Sequence, residues 1–276
     1  MKSYKPQNIN LKENQNSNKK KTNPNKFRQT SYWLYGINSG IAALRNPQRR
    51  CYEICCTQEV FNRHKVFLQK YSRNKKIKIQ KMSRNLIEKQ VGNEARHQGF
   101  IILVDPLEEK SLEQIKKTNN NEELIIALDQ VNDPRNIGAI MRSAAFFGCS
   151  TIILSSHKAP KESAVMAKAA SGGLEILGIT RVNNLSNALK LLKKDGHWII
   201  GLESNSKKNI NTANFNLPIT LVLGSEGRGL RRLTRETCDD LVSFITKSQK
   251  IERIGLDSLN VASAASIAIN TIIKNN

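Results

Sequence analysis

Residues 219–230 constrain the possible fold of this chain more than any other stretch. They read ITLVLGSEGRGL, so a run of aliphatic and β-branched residues ends abruptly at Gly224, and two further glycines follow before a helical pattern begins. A buried strand, a glycine-rich loop and a helix in succession form the ligand crevice of many α/β proteins, at the carboxyl ends of parallel strands. A tight connection that binds nothing gives the same pattern. The stretch predicts a strand, a loop that a ligand can approach closely, and a helix.

The composition of this loop limits the kind of ligand. The order of its glycines differs from the dinucleotide fingerprint, no acidic ribose ligand follows, and no Gly-Lys-Ser/Thr sequence completes a phosphate-binding loop. Glu226 stands where a phosphate would be repelled. The loop therefore suits a neutral or cationic nucleoside-like ligand, and the pattern excludes a dinucleotide-dependent enzyme.

Strand and helix patterns alternate through the second half of the chain. The predicted strands cover residues 124–128, 151–154, 175–181, 198–202, 219–223 and 241–245, and the predicted helices cover 134–148, 161–170, 185–194, 230–238 and 258–273. Asp133 is a good N-cap for the first of these helices, and Pro134 suits its first turn. Such alternation indicates a mostly parallel sheet with helices on both faces, and by itself it favours an open Rossmann-like sheet.

The first part of the chain predicts a smaller α/β unit. Its predicted strands cover residues 32–36, 52–56, 77–79 and 99–104, and its predicted helices cover 37–44, 59–71 and 82–90, the second being a single basic helix. Residues 1–30 are rich in Lys and Asn without hydrophobic periodicity, which predicts a disordered basic leader. The leader is either an arm that touches RNA or a solvated segment without function. We therefore expect a leader at 1–30, a small α/β unit at 31–106, a linker at 107–121 and an α/β domain at 122–276.

The charge of the chain indicates a polyanionic partner. The net charge is +21, and residues 1–120 carry +16 of it, with 25 Lys and Arg against 9 Asp and Glu. Nucleic acid is the simplest partner for so basic a front half, although a lysine-rich surface also serves solubility.

The cysteines and the apolar stretches indicate a compartment. Five cysteines are an odd number for a disulfide framework, and no histidine completes a metal site beside Cys51, Cys55 and Cys56. We expect reduced thiols, no bound metal, and a cytosol-like (cytoplasmic) location. No apolar stretch approaches the length of a membrane span, so we expect no membrane association.

Three groups of polar residues interrupt the apolar elements of the second half. The first contains Asn136 and Arg142, the second contains Glu226, and the third is Ser258-Leu259-Asn260-Val261 at the start of a helix rich in Ala, Ser and Ile. Taken singly, the first group is an ordinary solvated helix face, and Ser258 is an ordinary N-cap.

Taken together, the order and spacing of these groups resemble a known family. The chain is similar to the SpoU (TrmH-type) RNA ribose 2′-O-methyltransferases, whose three motifs match Asn136-Ile137-Gly138 with Arg142, residues 223–229, and Ser258-Leu259-Asn260-Val261. The likeness spans essentially all of residues 121–276. Tyr35-Gly36-Ile37 and His97-Gln98-Gly99 also resemble the family's small substrate-binding domain, in the branch that methylates a guanosine of 23S ribosomal RNA.

The resemblance implies a fold and a cofactor. The fold is a carboxy-terminal trefoil-knotted (SPOUT) α/β domain with a parallel sheet, preceded by a small α/β RNA-binding domain. The cofactor is S-adenosylmethionine, bound largely through backbone at Gly224, Ile245 and Leu259. The family also implies a homodimer that forms through the knotted domain.

The resemblance further implies roles for single residues in methylating a ribose 2′-hydroxyl of structured RNA. Arg142 would act at the hydroxyl, and Asn136 and Asn260 would orient Arg142 or the ribose. Glu226 would order Arg142 or nearby backbone. Ser258 would shape the entry of the third motif. The family's usual assignment makes the arginine a general base. Because a guanidinium is essentially never deprotonated in proteins, we hypothesise that Arg142 acts as a fixed cation.

Two positions depart from the family pattern, and two other functions stay open. Residues 246–257 are longer and more charged than the family's usual link. Asn38 replaces a histidine common in the small domain, and we expect this replacement to concern RNA binding by that domain alone.

The favoured substrate is ribosomal RNA, transfer RNA is the alternative, and DNA is not expected. The alternative from another class is a non-catalytic RNA-binding protein that retains the fold.

Overall fold

The structure is a computed structural model that describes residues 30–116, 123–157, 159–244 and 259–275. Within these ranges the elements are, in chain order, β1 (Tyr32–Tyr35), α1 (Ile37–Arg45), β2 (Cys51–Cys56), α2 (Gln58–Arg63), α3 (Lys65–Lys75), β3 (Lys78–Lys81), α4 (Arg84–Val91), β4 (Phe100–Val104), α5 (Leu112–Lys116), β5 (Leu124–Asp129), α6 (Pro134–Phe146), β6 (Thr151–Ser155), α7 (Ala164–Ala170), a 3₁₀ helix (Gly173–Glu175), β7 (Gly178–Val182), α8 (Leu185–Lys194), β8 (Trp198–Leu202), β9 (Ile219–Gly224), α9 (Arg232–Thr237), β10 (Asp240–Val242) and α10 (Val261–Lys274).

The front unit is built on a four-stranded mixed sheet in the order β1-β4-β2-β3. The first two pairings are antiparallel, and β3 joins β2 in parallel. Its strands are short, and side chains that face its core, such as Leu34, Ile54 and Ile102, are fully buried. The sequence prediction of a small α/β unit ahead of the main domain is confirmed.

The second unit is built on a six-stranded sheet in the order β10-β8-β9-β5-β6-β7, in which every pairing is parallel. All six residues of β5, near the middle of the sheet, are buried. Leu124, Ile126 and Leu128 belong to the core cluster that includes α6 and α10, whereas Ile125 and Ala127 pack with residues of α5 and α8. Because successive side chains of a strand point to opposite faces, the helices cover both sides of the sheet.

The predicted α/β class with a parallel sheet is therefore confirmed. The trefoil knot stays a prediction, because the segment 245–258 between β10 and α10 lies outside the described residues. The same holds for residues 1–29 of the predicted leader. The domain boundaries at 31–106, 107–121 and 122–276 stay a proposal.

One helix prediction is wrong. The single basic helix expected over residues 59–71 is two helices, α2 and α3, separated at His64, whose backbone (φ −114°, ψ 18°) leaves the helical region. Val60 of α2 and Leu68 of α3 are both buried in the same core cluster. The break therefore lets both helices face one core, a requirement that no local sequence signal encodes.

The predicted linker also contains structure. Leu112 and Ile115 of α5 are buried against the large sheet, and Lys110 forms a parallel β-bridge with Thr180 of β7. Two apolar residues three apart are enough for one buried helical turn when a sheet face is available.

The strand predicted over 175–181 starts later, at Gly178, because the 3₁₀ helix precedes it. Similarly, α7, α9 and α10 begin two or three residues after their predicted starts.

A buried ion cluster joins the two units. Arg49 is 2% exposed; its guanidinium donates to Glu162 and Glu175 of the second unit, and the Tyr32 hydroxyl also donates to Glu162. Burial lowers the pKa of Arg49. The hydrogen bond to Glu175 and the two carboxylate charges together raise it by more than burial lowers it, so the pKa lies above its usual range. The Ser39 hydroxyl adds a hydrogen bond of 2.9 Å to the Ala167 carbonyl.

Candidate functional site

The candidate site lies where β5 and β9 end side by side. These strands pair in parallel, and their last residues, Asp129 and Gly224, are partners in the register. The loop after β5 leads into α6, and the loop after β9 leads into α9. The carboxyl ends of neighbouring parallel strands thus place two loops at one edge of the sheet, as the sequence predicted.

Local capping orients the first candidate side chain. The Asp133 side chain accepts a hydrogen bond of 2.8 Å from the Arg135 backbone N–H, and Pro134 occupies the first helical position of α6. Both features were predicted from the sequence and are confirmed. They begin α6 at a defined residue, which places Asn136 in its first turn beside the loop after β9.

Asn136, Glu226 and Asn260 meet in one hydrogen-bonded cluster, which we call the amide–carboxylate cluster. Glu226 Oε1 accepts from Asn136 Nδ2 at 3.0 Å and from Asn260 Nδ2 at 2.7 Å. Asn260 Nδ2 also lies 3.1 Å from Asn136 Oδ1. The Asn260 oxygen caps α10 by accepting from the Ala262 N–H at 3.0 Å. A carboxylate that accepts two amide donors is held in one orientation and keeps a second oxygen for a ligand.

The cluster borders a polar cavity of about 400 Å³, which we call the sheet-edge cavity. Asn132, Asn136, Ser225, Glu226 and Arg228 are among its lining residues. No lysine stands among the described residues that line it. The carboxylates of Asp133 and Glu226 outnumber the one guanidinium, that of Arg228, so this lining favours a cationic or neutral ligand over a phosphate.

The glycine loop is held closed by its own backbone. Ser225 and Gly229 form an antiparallel bridge, with a hydrogen bond of 2.9 Å from the Gly229 N–H to the Ser225 carbonyl. A Cβ on Gly224 would lie 2.3 Å from the Gly229 carbonyl carbon, so this position has no room for a side chain. Gly227 has φ +81°, a conformation that favours glycine.

Arg142 is the candidate that the structure separates from the others. It lies on the exposed face of α6, six residues after Asn136, and lines a different cavity together with residues of α1. Among the described residues, no hydrogen bond joins Arg142 to Glu226. Glu226 Oε1 accepts instead from the Val261 backbone N–H at 3.5 Å, in line with the alternative that Glu226 orders nearby backbone, and its role stays a prediction. Asn38 lines the same cavity as Arg142, and its amide lies 3.5 Å from Ser171 Oγ of the second unit, while its expected part in RNA binding stays a prediction.

The cofactor residues expected from the resemblance are described in part. Gly224 ends β9 beside the bridge, and Leu259, 49% exposed, immediately precedes Asn260. Ile245 and Ser258 lie outside the described residues. Their roles stay predictions.

Sequence reasoning missed Asp129. This carboxylate, the last residue of β5, is fully buried and accepts from the Arg231 guanidinium at 2.7 Å and from the Arg231 backbone N–H at 2.9 Å. The pair attaches the end of the glycine loop to the neighbouring strand. An acidic residue that closes an otherwise apolar strand was the available signal, because a buried carboxylate requires a partner.

The described residues offer neither a metal site nor a membrane span. No group of three or more His, Cys, Asp or Glu side chains in these ranges could hold a metal ion. None of the helices in the described part of the chain is long and apolar enough to cross a membrane.

The fold and the site define an α/β protein with a ligand site at the carboxyl edge of a parallel sheet, preceded by a small unit with a mixed sheet. Family models match both parts: residues 123–270 match the SpoU rRNA Methylase family, and residues 33–110 match the RNA 2′-O ribose methyltransferase substrate-binding family. The chain belongs to the SpoU rRNA methylase family.

Individual relatives cover nearly the whole chain. A protein of Xylella fastidiosa (strain 9a5c) named 23S rRNA (guanosine-2′-O-)-methyltransferase RlmB is 31% identical over 88% of this chain and 96% of its own length. The protein of the same name from Photobacterium profundum is 33% identical, over 87% and 96%. Among solved structures, an AdoMet-bound rRNA methyltransferase from Sinorhizobium meliloti has a TM-score of 0.73 at 20% identity, covering 89% of this chain and 87% of that one. The structural likeness concerns the fold.

Proposed function

We propose that this protein is an enzyme that transfers a methyl group from S-adenosylmethionine to a ribose 2′-hydroxyl of RNA, with a guanosine of 23S ribosomal RNA as its target. The observation that carries the proposal is the convergence of Asn136, Glu226 and Asn260, from three separate segments, at the sheet-edge cavity. Each of these residues stands in one of the three family motifs. The names of the relatives support the RNA and the nucleotide.

The residues of the sheet-edge cavity fit this cofactor. The close approach of backbone at Gly224 and a lining in which two carboxylates face one guanidinium suit a cationic nucleoside better than a phosphorylated one. Gly224 and Leu259, with Ile245, would hold it through backbone. When bound, S-adenosylmethionine supplies an electrophilic methyl group on a positively charged sulfur.

The chain's own residues orient the nucleophile. In the transfer, the 2′-oxygen forms a bond to the methyl carbon, the carbon–sulfur bond breaks, and the hydroxyl proton passes to water or an RNA phosphate. Asn136 and Asn260, fixed by Glu226, can hold the ribose in line with the methyl group, and correct orientation is a large part of such catalysis. Arg142 would stabilise the negative charge that develops on the 2′-oxygen, and Ser258 would shape the entry of the third motif.

The front unit supports RNA as the substrate. The chain segment between β2 and β4 carries many exposed basic side chains, namely Arg63, Lys65, Lys70, Arg73, Lys76, Lys78, Lys81, Arg84 and Lys89. Such a basic surface matches the phosphate backbone of RNA.

We also propose a homodimer and a cytoplasmic location. Leu259, two residues before α10, and Ile267, in the middle of α10, are 49% and 43% exposed, and exposed apolar side chains on the domain through which the family usually dimerises support self-association. The described cysteines are free thiols, which supports a reducing compartment. Sedimentation at several protein concentrations tests the dimer.

The function is tested by methylation of unmodified 23S ribosomal RNA and transfer RNA transcripts with labelled S-adenosylmethionine, followed by mapping of the 2′-O-methyl positions. We expect label on a guanosine ribose of the ribosomal transcript. Glu226→Ala should lower the rate at least about tenfold, because a charged hydrogen bond is worth about 1.5–3 kcal/mol. The exposed Glu236→Ala is the matched control and should change the rate less than about twofold. Binding of RNA without methylation of either transcript would support the alternative function, a non-catalytic RNA-binding protein.

A further inference from the structure

A second cavity lies between the two units, apart from the sheet-edge cavity. It has a volume of about 760 Å³ and is formed by α1 of the front unit, the carboxyl-terminal half of α6, and the turn that leads from α7 into the 3₁₀ helix. We call it the interdomain cavity. Among its described lining residues, none also lines the sheet-edge cavity. Its volume is in the range of small-ligand sites.

The wall of the interdomain cavity carries a net positive charge. Arg45 and Arg142 line it, and neither forms an ion pair within the described part of the chain. Arg45 stacks over the Phe67 ring, with its guanidinium carbon 5.4 Å from the centroid. The acidic lining residue Glu175 is already neutralised, because its oxygens accept from Arg49 and from the Asn46 amide. Two free guanidinium groups therefore face a compartment without a free carboxylate, which favours an anion.

An exposed aromatic side chain stands beside these cations. Phe146, at the end of α6, is 83% exposed, and its ring meets Phe147 edge to face at a centroid distance of 5.2 Å. Phe147 packs against the core cluster, whereas most of the Phe146 side chain stays open to solvent. A bare aromatic face next to arginines is the composition of sites at which bases stack and phosphates are neutralised.

Resting on the proposed function, we propose that the interdomain cavity binds one nucleotide of the substrate RNA. Arg45 contacts its phosphate, its base stacks on Phe146, and the Asn38 amide, which makes only a 3.5 Å contact to Ser171, faces the edge of the base. Arg142, in the same wall, keeps its proposed role at the reacting 2′-hydroxyl. The bound strand then touches both units, and the front unit contributes to positioning as well as to general affinity.

The geometry of α6 connects this nucleotide to the proposed reaction. Asn136 borders the sheet-edge cavity and Arg142 borders the interdomain cavity, six residues later on the same helix. Six residues correspond to about 9 Å along a helix axis. A short stretch of an extended RNA strand spans that distance, so a nucleotide held at Phe146 fixes the position of the strand at the amide–carboxylate cluster.

A second copy of the chain is the competing occupant. Ile176, 72% exposed, lies near Phe146 at the rim and would support an apolar contact between copies. The two unpaired arginines in the same wall favour RNA, because like charges of two copies would meet across a symmetric contact.

The experiment measures RNA binding, cofactor binding and oligomeric state in the full-length protein. Phe146→Ala and Arg45→Gln are compared with two matched controls, Val66→Ala, an exposed apolar residue, and Arg232→Gln, an exposed arginine paired with Glu236. The probe is an unmodified fragment of a 23S ribosomal RNA transcript, with affinity read by fluorescence anisotropy over a range of salt concentrations.

We expect Phe146→Ala to weaken RNA binding between about fivefold and about 150-fold, the range for loss of one stacked base, and Phe146→Trp to restore it. Arg45→Gln should weaken binding and lower the slope of log K against log salt by about 0.7, whereas the controls leave the affinity within about twofold. The dissociation constant for S-adenosylmethionine and the sedimentation behaviour should stay unchanged in all variants.

Two results would overturn the proposal. One is an RNA affinity that Phe146→Ala and Arg45→Gln leave unchanged. The other is dissociation of an oligomer by Phe146→Ala, which would assign the cavity rim to a second copy. The proposed function is judged separately by methylation, so a protein that binds RNA as expected but transfers no methyl group would retain the nucleotide site and lose the enzyme assignment.

Discussion

At the scale of single residues, Glu226 and Asp129 show how one carboxylate organises a loop. Glu226 gathers two asparagine amides that are 90 and 34 residues away in sequence. Asp129, buried at the end of β5, holds Arg231 where the glycine loop ends. Both work through hydrogen bonds to a charged group, which are stronger than neutral ones. Arg142 differs, because no carboxylate in the described ranges holds it and it is available to a ligand.

Substitution of Arg142 tests whether it acts as a fixed cation. Under that hypothesis Arg142→Lys should retain part of the single-turnover methylation rate that Arg142→Ala loses, since preorganised charge of this kind is worth about 3 kcal/mol, or about a hundredfold in rate. The dissociation constant for S-adenosylmethionine should be the same in both variants. Arg232→Ala, at an exposed arginine that lines neither cavity, controls for loss of general charge. A Lys variant whose rate rises as the lysine deprotonates would instead support a general base.

His197 predicts a pH dependence of stability. Its ring is buried, with Nδ1 3.1 Å from Thr220 Oγ1 and Nε2 3.8 Å from Glu123. Burial lowers the pKa of His197, and the Glu123 charge offsets this only in part. Because the folded pKa lies below the unfolded value of about 6.5, the stabilisation is fully present above that pH and is lost as the pH falls below it.

Denaturant unfolding from pH 8 to pH 5 measures this effect. The wild type should lose free energy of unfolding on acidification, by about 1.4 kcal/mol for each unit by which the pKa is depressed. His197→Gln should show a flatter profile, while the exposed His157→Gln should retain the wild-type slope. Parallel profiles for the wild type and His197→Gln would show that other groups cause the acid sensitivity.

At the scale of elements, the loop after β9 is built by close backbone packing rather than by side chains. The bridge between Ser225 and Gly229 brings the loop's two ends together over Gly224. The N-caps of α6 and α10, Asp133 and Asn260, then place both helix starts at the same edge. The loop and the two caps therefore act as one unit that positions the amide–carboxylate cluster.

Two alanine substitutions in this loop separate crowding from backbone strain. Gly224→Ala would place a Cβ 2.3 Å from the Gly229 backbone, so the bridge must open, and we expect at least a tenfold loss of cofactor affinity by calorimetry. Gly227→Ala meets nothing within 4 Å and carries only the strain of φ +81°, about 1 kcal/mol. Its cofactor affinity should stay within a few-fold of the wild type. Equal losses in the two variants would argue against the packing explanation.

At the scale of the whole molecule, the two units are held by the ion cluster around Arg49. The side chains of Arg49 and Glu175 are 0% and 4% exposed, so water screens little of their interaction. The contact between the units also forms one wall of the interdomain cavity. The orientation of the small unit and the shape of that cavity are therefore coupled.

Removal of Arg49 should be among the most destabilising single changes. Arg49→Met leaves the carboxylates of Glu162 and Glu175 buried without their cation, which typically costs about 3–5 kcal/mol of unfolding free energy. Arg63→Met breaks an exposed ion pair with Glu59 and should cost less than about 1 kcal/mol. Thermal and denaturant unfolding of both variants measure the difference. A loss below about 1 kcal/mol in Arg49→Met would mean that the cluster relaxes into water.

The sequence by itself determined the local elements and their class. Buried runs such as β9, the caps at Asp133 and Pro134, and the alternation of strands and helices were predicted and are found, because each depends on periodicity and backbone chemistry within a short window. The resemblance of three motifs then led to the family. A short window was not sufficient at His64, where the prediction of one helix was wrong, or at α5, which was not predicted, because burial against a distant surface decided the conformation.

Only the tertiary structure decided which polar residues meet. The parallel register of β5 and β9 places Asn136 beside Glu226, and the packing of α10 on α6 brings Asn260 to both. The same packing turns Arg142 away, into the cavity that the front unit closes. Strand order and domain contact arise from burial summed over the whole chain, so no motif spacing determines the distance between side chains that stand 90 or 124 residues apart.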